Sequence, residues 1–424
     1  MTELDRDVIP EPGSDSDVVI VGGRVAAAAT AILLAERGHR VSVVDRDSET
    51  SEALSTHVFG DWEAFDRLGL TAELADAGAP AITRFRTEFD GAAVEGELAV
   101  TPYVLCLRRR QLDAILAARA RSLPTVEWFP CTTATELIFD GDRVGGVRVR
   151  QGARRAELRA SVVVGADGRN SLVARGVGAE VVLERPASRC AYYGYFADAW
   201  RQPIATFEYH YCGEDLVLVA PCDDELHCVC VMPPQDDFNR WRRAPQELLH
   251  ERLGDAGTLT PRFATAQRVS GVRGSGTLKS YLRTSSGPGW ALVGDAGAMV
   301  HPCIGAGIDH AARSAGELSD ALDSFLQGRA GWDEALASYD LARDQIVLPT
   351  LELAAALAAK SGPPPDERAL FGLLVSMPGL GWELAANSKE IVSTVCGTER
   401  LARLSALAGV TNGTPSVAEP EPTS

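Results

Sequence analysis

The chain has 424 residues, 46% of them hydrophobic, which is enough to bury the core of one large domain or of two to three smaller ones. Its formal net charge of −17 argues against nucleic acid or an anionic membrane surface as a partner. No run of about 18 apolar residues occurs, and the acidic N-terminus lacks an apolar segment, so we expect no membrane span, no signal peptide and a cytoplasmic location.

Both ends of the chain are rich in proline, serine and acidic residues, so we predict flexible tails over residues 1–16 and 413–424. The nine cysteines are an odd number in a chain without a signal peptide, which favours free thiols. The pair in "HCVCV", His227 to Val231, lies in an alternating strand pattern, and no second pair at suitable spacing accompanies it. We therefore predict strand residues there and no metal site.

The first ordered stretch predicts a strand, a helix and a second strand. "DVVIVG", which begins at Asp17, is an apolar run typical of a buried strand. "AAAATAILLAERG" predicts a helix of small residues that ends at Gly38, and "HRVSVVDRD" predicts the second strand. A β-α-β unit of this kind, about thirty residues long, implies a parallel sheet.

The turn after the first strand is typical of a dinucleotide-binding turn in altered form. In the fingerprint G-x-G-x-x-G, the three glycines make the turn, admit the pyrophosphate and let helix pack on strand. Gly22 and Ala27 suit the first and third positions, but Arg24 occupies the second. We hypothesise that the guanidinium of Arg24 compensates by pairing with phosphate oxygens. Asp45 ends the second strand where a carboxylate should bind the adenosine ribose, although a purely structural turn is an alternative.

In the middle of the chain, the pattern of polar and apolar residues changes from one typical of parallel strands to one typical of antiparallel strands. "RRRQLDAILAARARSL", Arg108 to Leu123, has helical spacing, and "ASVVVGADG", Ala160 to Gly168, predicts a buried strand that ends in a glycine turn. From about Val181 to Leu282, polar and apolar residues alternate, which predicts a half-buried antiparallel sheet. A shorter β-like piece covers residues 81–100.

In the last part of the chain, the pattern typical of parallel strands returns and is followed by a helical pattern. "WALVGDAG" from Trp290 predicts another buried strand, and a helix of small residues begins at Gly307. From Trp332 to about Ala408 the pattern is mainly helical. A nucleotide-binding domain is therefore interrupted by an antiparallel sheet and then completed.

Three motifs carry a resemblance to a known family: the altered glycine turn, "VVVGADGRNS" and "WALVGDAGAMVHPCIGAGID". Together they resemble the FAD-dependent monooxygenases of the para-hydroxybenzoate hydroxylase type, in particular a bacterial subgroup whose first fingerprint is often written G-A-R-x-A-G. "LSTHVFGDWEAFDRLGL", "YYGYF" and "SYDLARDQIVLPTLEL" extend the resemblance over nearly the whole ordered chain. It implies an α/β fold in which a Rossmann-like FAD-binding domain is interrupted by an antiparallel-sheet substrate domain and followed by C-terminal helices.

The resemblance also implies domain boundaries. We predict the FAD-binding domain over residues 17–80, 101–180 and 285–330. We predict the substrate domain over residues 81–100 and 181–284, and the C-terminal helical region over residues 331–412.

The FAD-binding residues follow from the same resemblance. Asp295 of "GDAG" matches the aspartate that binds a ribityl hydroxyl, and the segment from Pro302 to Gly307 matches the turn whose N–H groups face the flavin ring. Arg109 is similar to the arginine that contacts flavin phosphate or ribityl oxygens. The expected cofactor residues are Gly22, Arg24, Ala27, Asp45, Arg46, Arg109, Asp167, Gly168, Gly294, Asp295, Pro302, Gly305, Ala306, Gly307 and Ile308.

Three residues depart from the family pattern. Ala298 stands where a histidine is usual, Ala306 where a glutamine is usual, and Asp309 where an asparagine is usual. An acid near the flavin could affect its reduction potential. The motifs therefore support FAD binding more strongly than ordinary redox chemistry.

In this family NAD(P)H reduces FAD, which then captures O2 as a C4a-hydroperoxide and transfers one oxygen to an electron-rich carbon. The resemblance thus implies NAD(P)H as reductant and the hydroxylation or epoxidation of a bulky aromatic or polyketide-like small molecule. A base that deprotonates a phenol would help. The candidates are His57, His210 and His301, of which His301 is the best placed because its neighbour Pro302 is expected at the flavin. We expect Tyr195 and His210 on the substrate side, and each of the four residues also suits a structural role.

Other uses of the fold stay open. A reductase of an isoprenoid or enone double bond would consume no O2, and a non-redox cyclase would use FAD only for shape. A halogenase would need an N-terminal lysine, but the first lysine is Lys279 and no W-x-W-x-I-P segment exists. The sequence distinguishes neither NADH from NADPH nor a monomer from a homodimer.

Overall fold

A computed structural model of the protein describes residues 16–48, 55, 57–89, 92–98 and 101–359. The predicted flexible tails, apart from Ser16, lie outside the described residues, as does the predicted helical region beyond residue 359. Within the described ranges, no helix is both long enough and apolar enough to cross a membrane.

The secondary structure of the described residues follows the predicted order. The strands are β1 (Ser16–Val21), β2 (Val41–Val44), β3 (Val58–Phe59), β4 (Arg84–Phe89), β5 (Ala92–Glu97), β6 (Leu105–Cys106), β7 (Val126–Phe129), β8 (Thr133–Asp140), β9 (Arg143–Gln151), β10 (Arg154–Gly165), β11 (Val181–Arg185), β12 (Ala191–Ala197), β13 (Thr206–Cys212), β14 (Asp215–Pro221), β15 (His227–Met232), β16 (Gln267–Arg268), β17 (Arg273–Ser275), β18 (Ser280–Arg283), β19 (Ser286–Gly287), β20 (Trp290–Leu292) and β21 (Ala298–Met299). The α-helices are α1 (Val25–Glu36), α2 (Trp62–Asp66), α3 (Thr71–Ala75), α4 (Arg109–Arg121), α5 (Leu172–Gly176), α6 (Phe238–Arg243), α7 (Pro245–Gly254), α8 (Leu259–Phe263), α9 (Gly307–Leu326) and α10 (Trp332–Ala358).

The first sheet has the parallel core that the β-α-β pattern predicts. Its strands lie in the order β19-β20-β10-β1-β2-β7, and β1 is parallel to both β10 and β2. Alternate residues of β1 face two different cores, because successive side chains of a strand point to opposite faces. Val18 and Ile20 pack with α1, α4 and α9, whereas Val19 and Val21 pack with the β8–β9–β10 meander. The predicted Rossmann-like architecture is confirmed.

Helix α1 is made of small residues because it is enclosed on all sides. Ala27, Ala28 and Ala29 have no exposed surface, and α1 packs against both α4 and α9. Side chains of one carbon let neighbouring backbones approach closely. Ala27 therefore serves helix packing, as expected of the third fingerprint position.

The second sheet runs in the order β16-β12-β15-β14-β13-β4-β5. Its neighbours are antiparallel except for β4 and β13, which are parallel, with Thr206 opposite Arg84. The alternating pattern from Val181 to Leu282 predicts antiparallel pairing, and the strand pairs within that range are antiparallel; the parallel pair arises where β4, from the piece at residues 81–100, joins the sheet. No hairpin joins β4 to β13, since they come from distant parts of the chain, and so nothing in the connection requires antiparallel pairing.

Both faces of the second sheet are covered, which differs from the half-buried sheet that the sequence predicts. The face with Tyr193, Tyr195 and Tyr209 points toward the first domain, and residues of α10 such as Leu351 pack on it. The opposite face, with Val217, packs under α6, α7 and α8. These short helices cover the face that the sequence leaves to solvent. The domain boundaries given above stay predictions.

Gly22 gives a direct test of the β1–α1 turn. Its φ is +111°, and a Cβ there would lie 2.3 Å from the carbonyl oxygen of Ala166. We expect Gly22→Ala to lower the free energy of unfolding by at least about 2 kcal/mol, through backbone strain and overlap. Gly254→Ala in α7 is the control, because no atom lies within 4 Å of its added Cβ. Equal denaturant midpoints for the two variants would contradict this account.

Candidate functional site: a cleft at the carboxyl ends of the parallel strands

A cleft of about 600 Å³ opens where the parallel strands of the first sheet end. Gly22 follows β1, Asp45 follows β2 and Ala166 follows β10, and all three line it. Ligands of open parallel sheets bind at this edge, because the loops that follow neighbouring strands diverge there.

Two adjacent glycines shape the turn at the base of the cleft. A Cβ on Gly22 would overlap the backbone at Ala166, and a Cβ on Gly23 would lie 2.3 Å from Oδ2 of Asp45. Gly23, one residue before the fingerprint position, therefore leaves room for the side chain of Asp45. Arg24 lines the cleft, with its guanidinium 3.4 Å from Oδ2 of Asp47.

The N-terminus of α1 faces the cleft without a side-chain cap. Val25 and Ala26 of its first turn line the cleft, and Arg24 makes no capping hydrogen bond. The first N–H groups of a helix lack intrahelical partners and carry the positive end of the helix dipole. This end of the cleft therefore suits an anionic group such as a pyrophosphate.

Asp45 is half-buried and lines the cleft directly after β2. Burial raises its pKa to about 6, although a hydrogen bond from the backbone N–H of Asp47, at 3.2 Å, acts in the opposite direction. A carboxylate in such a desolvated position gains from hydroxyl donors. Asp45 is therefore suited to accept hydrogen bonds from a ribose.

Two buried polar atoms at the cleft have no hydrogen-bond partner within the described chain: Oδ1 of Asp167 and Nε of Arg109. The other carboxylate oxygen of Asp167 accepts from the N–H of Leu172 at 2.6 Å, and Arg109 also pairs with Asp113 at 2.8 Å. Burial raises the pKa of Asp167. Because buried polar atoms are rarely left unpaired, these two fit a polar ligand in the cleft.

Asp295 reaches the cleft from the last part of the first domain. It lies in a short 3₁₀ turn, Gly294–Ala296, and its side chain is exposed to the cleft. A Cβ on Gly294 would come within 2.9 Å of the Cβ of Ala26, so glycine is needed where this turn meets α1. The surrounding protein raises the pKa of Asp295 by desolvation.

The far end of the cleft is apolar. Leu278, Met299 and Val300 line it, together with the 3₁₀ turn Pro302–Ile304 and the start of α9. Gly305 ends that turn with φ of +71°. An apolar slot beside a helix N-terminus suits a flat ring that carries a polar edge.

The structure brings the expected cofactor residues to this cleft with two exceptions. Ala27 is buried within α1, and Ala306 precedes α9 without lining the cleft. Sequence reasoning missed Thr132, Arg169 and Leu278. Thr132 comes after β7, so the rule on strand ends could have found it, and Arg169 lies inside the quoted "GADGRNS". Leu278 carries no local signal.

The four predicted catalytic residues are placed differently, because none of them lines the cleft. The structure brings His57 and Tyr195 together: the hydroxyl of Tyr195 lies 2.7 Å from Nε2 of His57. The Sγ of Cys228 lies 3.6 Å from Nδ1 of the same ring, and His57 has a left-handed φ of +67°. The backbone N–H of His57 bonds Oγ of Ser55, which does line the cleft. The pair therefore lies behind the cleft wall.

His301 caps the turn beside the apolar slot. Its Nδ1 accepts the N–H of Cys303 at 3.2 Å, and its Nε2 lies 3.3 Å from the carbonyl oxygen of Arg189. The ring is therefore a neutral tautomer with the proton on Nε2. Burial lowers its pKa to about 4, which keeps it neutral. Both nitrogens are engaged, so the expectation of a base at the flavin does not match its position.

His210 faces away from the cleft, which corrects the expectation that it lies on the substrate side. It alternates with Tyr209 on β13, and its ring sits 3.1 Å from Glu208 and 3.6 Å from Glu88. Two arginines belong to the same group: Arg262 of α8 lies 2.7 Å from Glu208, and Arg86 of β4 lies 2.7 Å from Glu88. A pattern of period two gives two faces but does not say which one faces the cofactor.

No metal site appears among the residues described. They contain no group of three or more His, Cys, Asp or Glu side chains placed to hold an ion. Cys228 and Cys230 of the "HCVCV" segment are free and lie within β15, as the strand pattern predicts.

The fold and the cleft define a class: a flavoprotein with a Rossmann-like dinucleotide domain and a second sheet beside the flavin end. The sequence profile described as "FAD binding domain" matches residues 15–354. The chain therefore belongs to the FAD-binding-domain family, and the resemblance drawn from its motifs is confirmed. It is an FAD-dependent oxidoreductase, of a family in which NAD(P)H is the typical reductant.

Several relatives are informative. The chain is 32% identical to 6-methylpretetramide 4-monooxygenase of Streptomyces rimosus over 179 residues, which are 40% of this chain and 42% of that enzyme. It is 27% identical to digeranylgeranylglycerophospholipid reductase of Methanosarcina mazei over 320 residues, 72% of this chain and 74% of that enzyme. The structure of p-nitrophenol 4-monooxygenase PnpA from Pseudomonas putida DLL-E4 superimposes with a TM-score of 0.72 at 21% identity, covering 92% of this chain and 98% of that one.

Asp295 provides a test of the cleft. We expect Asp295→Ala to weaken FAD binding at least roughly tenfold, because a hydrogen bond to a charged group contributes about 1.5 to 3 kcal/mol. FAD titration into apo-protein measures this affinity. Asp142→Ala, at an exposed position between β8 and β9, is the control and should bind FAD like the parent protein. Unchanged affinity in Asp295→Ala would exclude the proposed contact.

The His210 group predicts a pH-dependent stability. Burial alone would lower the pKa of His210, but its bonds to Glu208 and Glu88 raise it above 6.5. Its contribution is therefore complete below pH 6.5 and is lost as pH rises through the folded-state pKa. The pKa of Glu88, which burial alone would raise, is lowered to about 2 by hydrogen bonds from neighbours such as His210, so its contribution is complete above pH 4.5 and lost in acid.

We expect His210→Gln to lower the free energy of unfolding by about 2 kcal/mol at pH 5.5, with a smaller loss above the folded-state pKa of His210. Denaturant unfolding at several pH values measures the difference. His250→Gln, at an exposed position of α7, should leave the pH profile unchanged. A loss that did not vary with pH would show that the ion pairs are not its cause.

Proposed function

We propose that the cleft holds FAD with its pyrophosphate at the N-terminus of α1 and its ribose at Asp45. Asp295 would bind the ribityl chain, and the apolar slot at Met299 and Pro302 would hold the flavin ring. The change of lining from charged to apolar along one cleft supports this placement. The unpaired atoms of Asp167 and Arg109 also support it.

We further propose that the protein is a monooxygenase that hydroxylates a bulky aromatic, polyketide-like metabolite. The observation that carries this proposal is the aromatic face of the second sheet. Tyr193, Phe207 and Tyr209 share one core with Met299 and Val300, which also line the flavin end of the cleft. When bound, FAD supplies hydride acceptance from NAD(P)H and activation of O2. The similarity to 6-methylpretetramide 4-monooxygenase supports an aromatic polyketide as the substrate class.

The protein's own contribution is orientation and exclusion of water. The hydroxyl of Tyr209 donates to the carbonyl oxygen of Cys303 at 2.8 Å, so the aromatic face is fixed to the turn beside the flavin. On β12 of the same sheet, the hydroxyl of Tyr195 lies 2.7 Å from Nε2 of His57. No histidine is among the described residues that line the cleft, and we propose an electron-rich aromatic compound as the substrate.

A double-bond reductase is the second candidate, favoured by the match to the Methanosarcina mazei enzyme over 72% of this chain. The deciding experiment follows NAD(P)H and O2 together, with and without aromatic polyketides. Substrate-stimulated consumption of both in equal amounts supports the monooxygenase. Loss of NAD(P)H without O2 points to the reductase. Substrate conversion with neither consumed would point to a non-redox cyclase.

The hydrogen bond from Tyr209 to Cys303 provides a test of the proposed function. We expect Tyr209→Phe to retain FAD but to reduce substrate-stimulated NAD(P)H consumption roughly three- to tenfold, because one hydrogen bond of about 1 kcal/mol no longer fixes the sheet to the flavin turn. Tyr192→Phe is the matched control. Tyr192 lies on the opposite face of the same sheet, and its hydroxyl has no hydrogen-bond partner in the structure. Equal activity of the two variants would argue against this role of Tyr209.

A further inference from the structure

Asp309 lies in the first turn of α9, the helix whose N-terminus adjoins the flavin end of the cleft. Gly307 and Ile308 of the same turn line the cleft, whereas Asp309 does not. Its Oδ1 accepts the backbone N–H groups of both Gly60 and Asp61 at 3.1 Å. The carboxylate thus fastens the flavin-facing turn to the segment between β3 and α2.

Among the described residues, no cationic side chain forms an ion pair with Asp309. Arg313, one turn further along α9, lies 2.7 Å from Oδ2 of Asp61 and 3.5 Å from Glu63. Asp61 itself is a second acid beside Asp309. From the following residue, His310 bonds Thr350 of α10 at 3.1 Å. Burial raises the pKa of Asp309 to about 7, so the group changes charge near neutral pH.

The carboxylate of Asp309 reduces the positive electrostatic potential at the N-terminus of α9. A helix N-terminus carries about half a positive charge, which stabilises negative charge placed before it. A carboxylate in the first turn offsets that positive end from within. Uptake of two electrons and one proton by a flavin adds one negative charge to the ring, and this charge would fall at the apolar slot before α9.

We propose that Asp309 is a positioning residue that sets the reduction potential of the bound flavin: its carboxylate disfavours the reduced state and takes up a proton from solvent when the flavin is reduced. The proposal rests on the placement of FAD given above. The balance is two electrons and one proton to the flavin, and one proton to Asp309. By linkage, protonation of Asp309 must favour reduction as much as reduction favours protonation.

The test compares Asp309→Asn with the parent holoenzyme by dye-coupled redox titration at pH 5.5 and pH 8.5. At pH 8.5 we expect the ratio of reduced to oxidised flavin, at a fixed solution potential, to rise roughly tenfold in the variant, which is about 30 mV for a two-electron couple. At pH 5.5 the two proteins should coincide, because Asp309 is then neutral in both. Asp66→Asn, an exposed position of α2, controls for loss of one acidic charge.

The outcomes are distinct. No shift at pH 8.5, or the same shift at both pH values, overturns the proposal. A purely structural role would lower melting temperature or FAD content without a pH-dependent change in potential, and it would count against the proposal as well. Asp309→Ser, whose hydroxyl can accept one of the two N–H groups, serves the same comparison if the asparagine variant does not hold FAD.

This titration needs no organic substrate, so it separates the two proposals. A pH-dependent shift together with no stimulation of O2 consumption by aromatics would support the role of Asp309 and overturn the monooxygenase. A stimulated enzyme with an unshifted potential would do the reverse.

Discussion

The close approach of β1 and β10 at their carboxyl ends is the constraint on which the rest of the site depends. The N–H of Ala166 bonds the carbonyl oxygen of Val21 at 2.8 Å, and the N–H of Gly22 bonds Val44 at 2.9 Å. Strands β1, β2 and β10 therefore end at the same level of the sheet, and the chain turns away from the sheet after each of them. The space between those turns is the cleft, and only a residue without Cβ fits at Gly22.

A second close approach brings in the distant part of the chain. Gly294 meets Ala26 with no room for a Cβ, although an entire sheet separates the two residues along the sequence. This contact places Asp295 beside the N-terminus of α1. The first residues of α9 line the same cleft. Two helix N-termini thus converge on one ligand site, which gives a chain of net charge −17 a locally favourable setting for phosphates and for an electron-rich ring.

The sequence could predict this cleft because its signals are local. A strand end followed by glycine, or by an acid at the expected distance, predicts Gly22 and Asp45 as cleft residues without any knowledge of packing, and the family resemblance adds Asp167. The sequence does not show which second residue of the turn has no room for a Cβ. The fingerprint predicts a close approach of ligand and backbone at position 24, whereas the second residue that has no room for a Cβ in the structure is Gly23, which lies against the side chain of Asp45.

The second sheet was harder for a physical reason. Alternation shows that Tyr209 and His210 point to opposite faces, but either face could have met the cofactor, and the covering helices α6, α7 and α8 carry no signal of which face they bury. The same limit applies to β4, whose parallel pairing with β13 is decided by tertiary contacts alone. Leu278 reaches the flavin end of the cleft through the fold and not through a motif.

The placement of the histidines bears on how the chemistry is divided between protein and cofactor. His210 holds an ion-pair group, His301 caps a turn, and His57 supports Tyr195 behind the cleft wall. His57 and His301 have both ring nitrogens engaged by protein atoms, and His210 contacts Glu208 and Glu88, so all three histidines act on the arrangement of the protein. What faces the flavin end of the described cleft is apolar surface and helix dipole, which can orient a planar substrate and exclude water. In such a site reactivity depends on the electron density of the substrate and on the potential of the flavin. This is the reason for proposing that the first turn of α9, through Asp309, sets the reduction potential of the bound flavin.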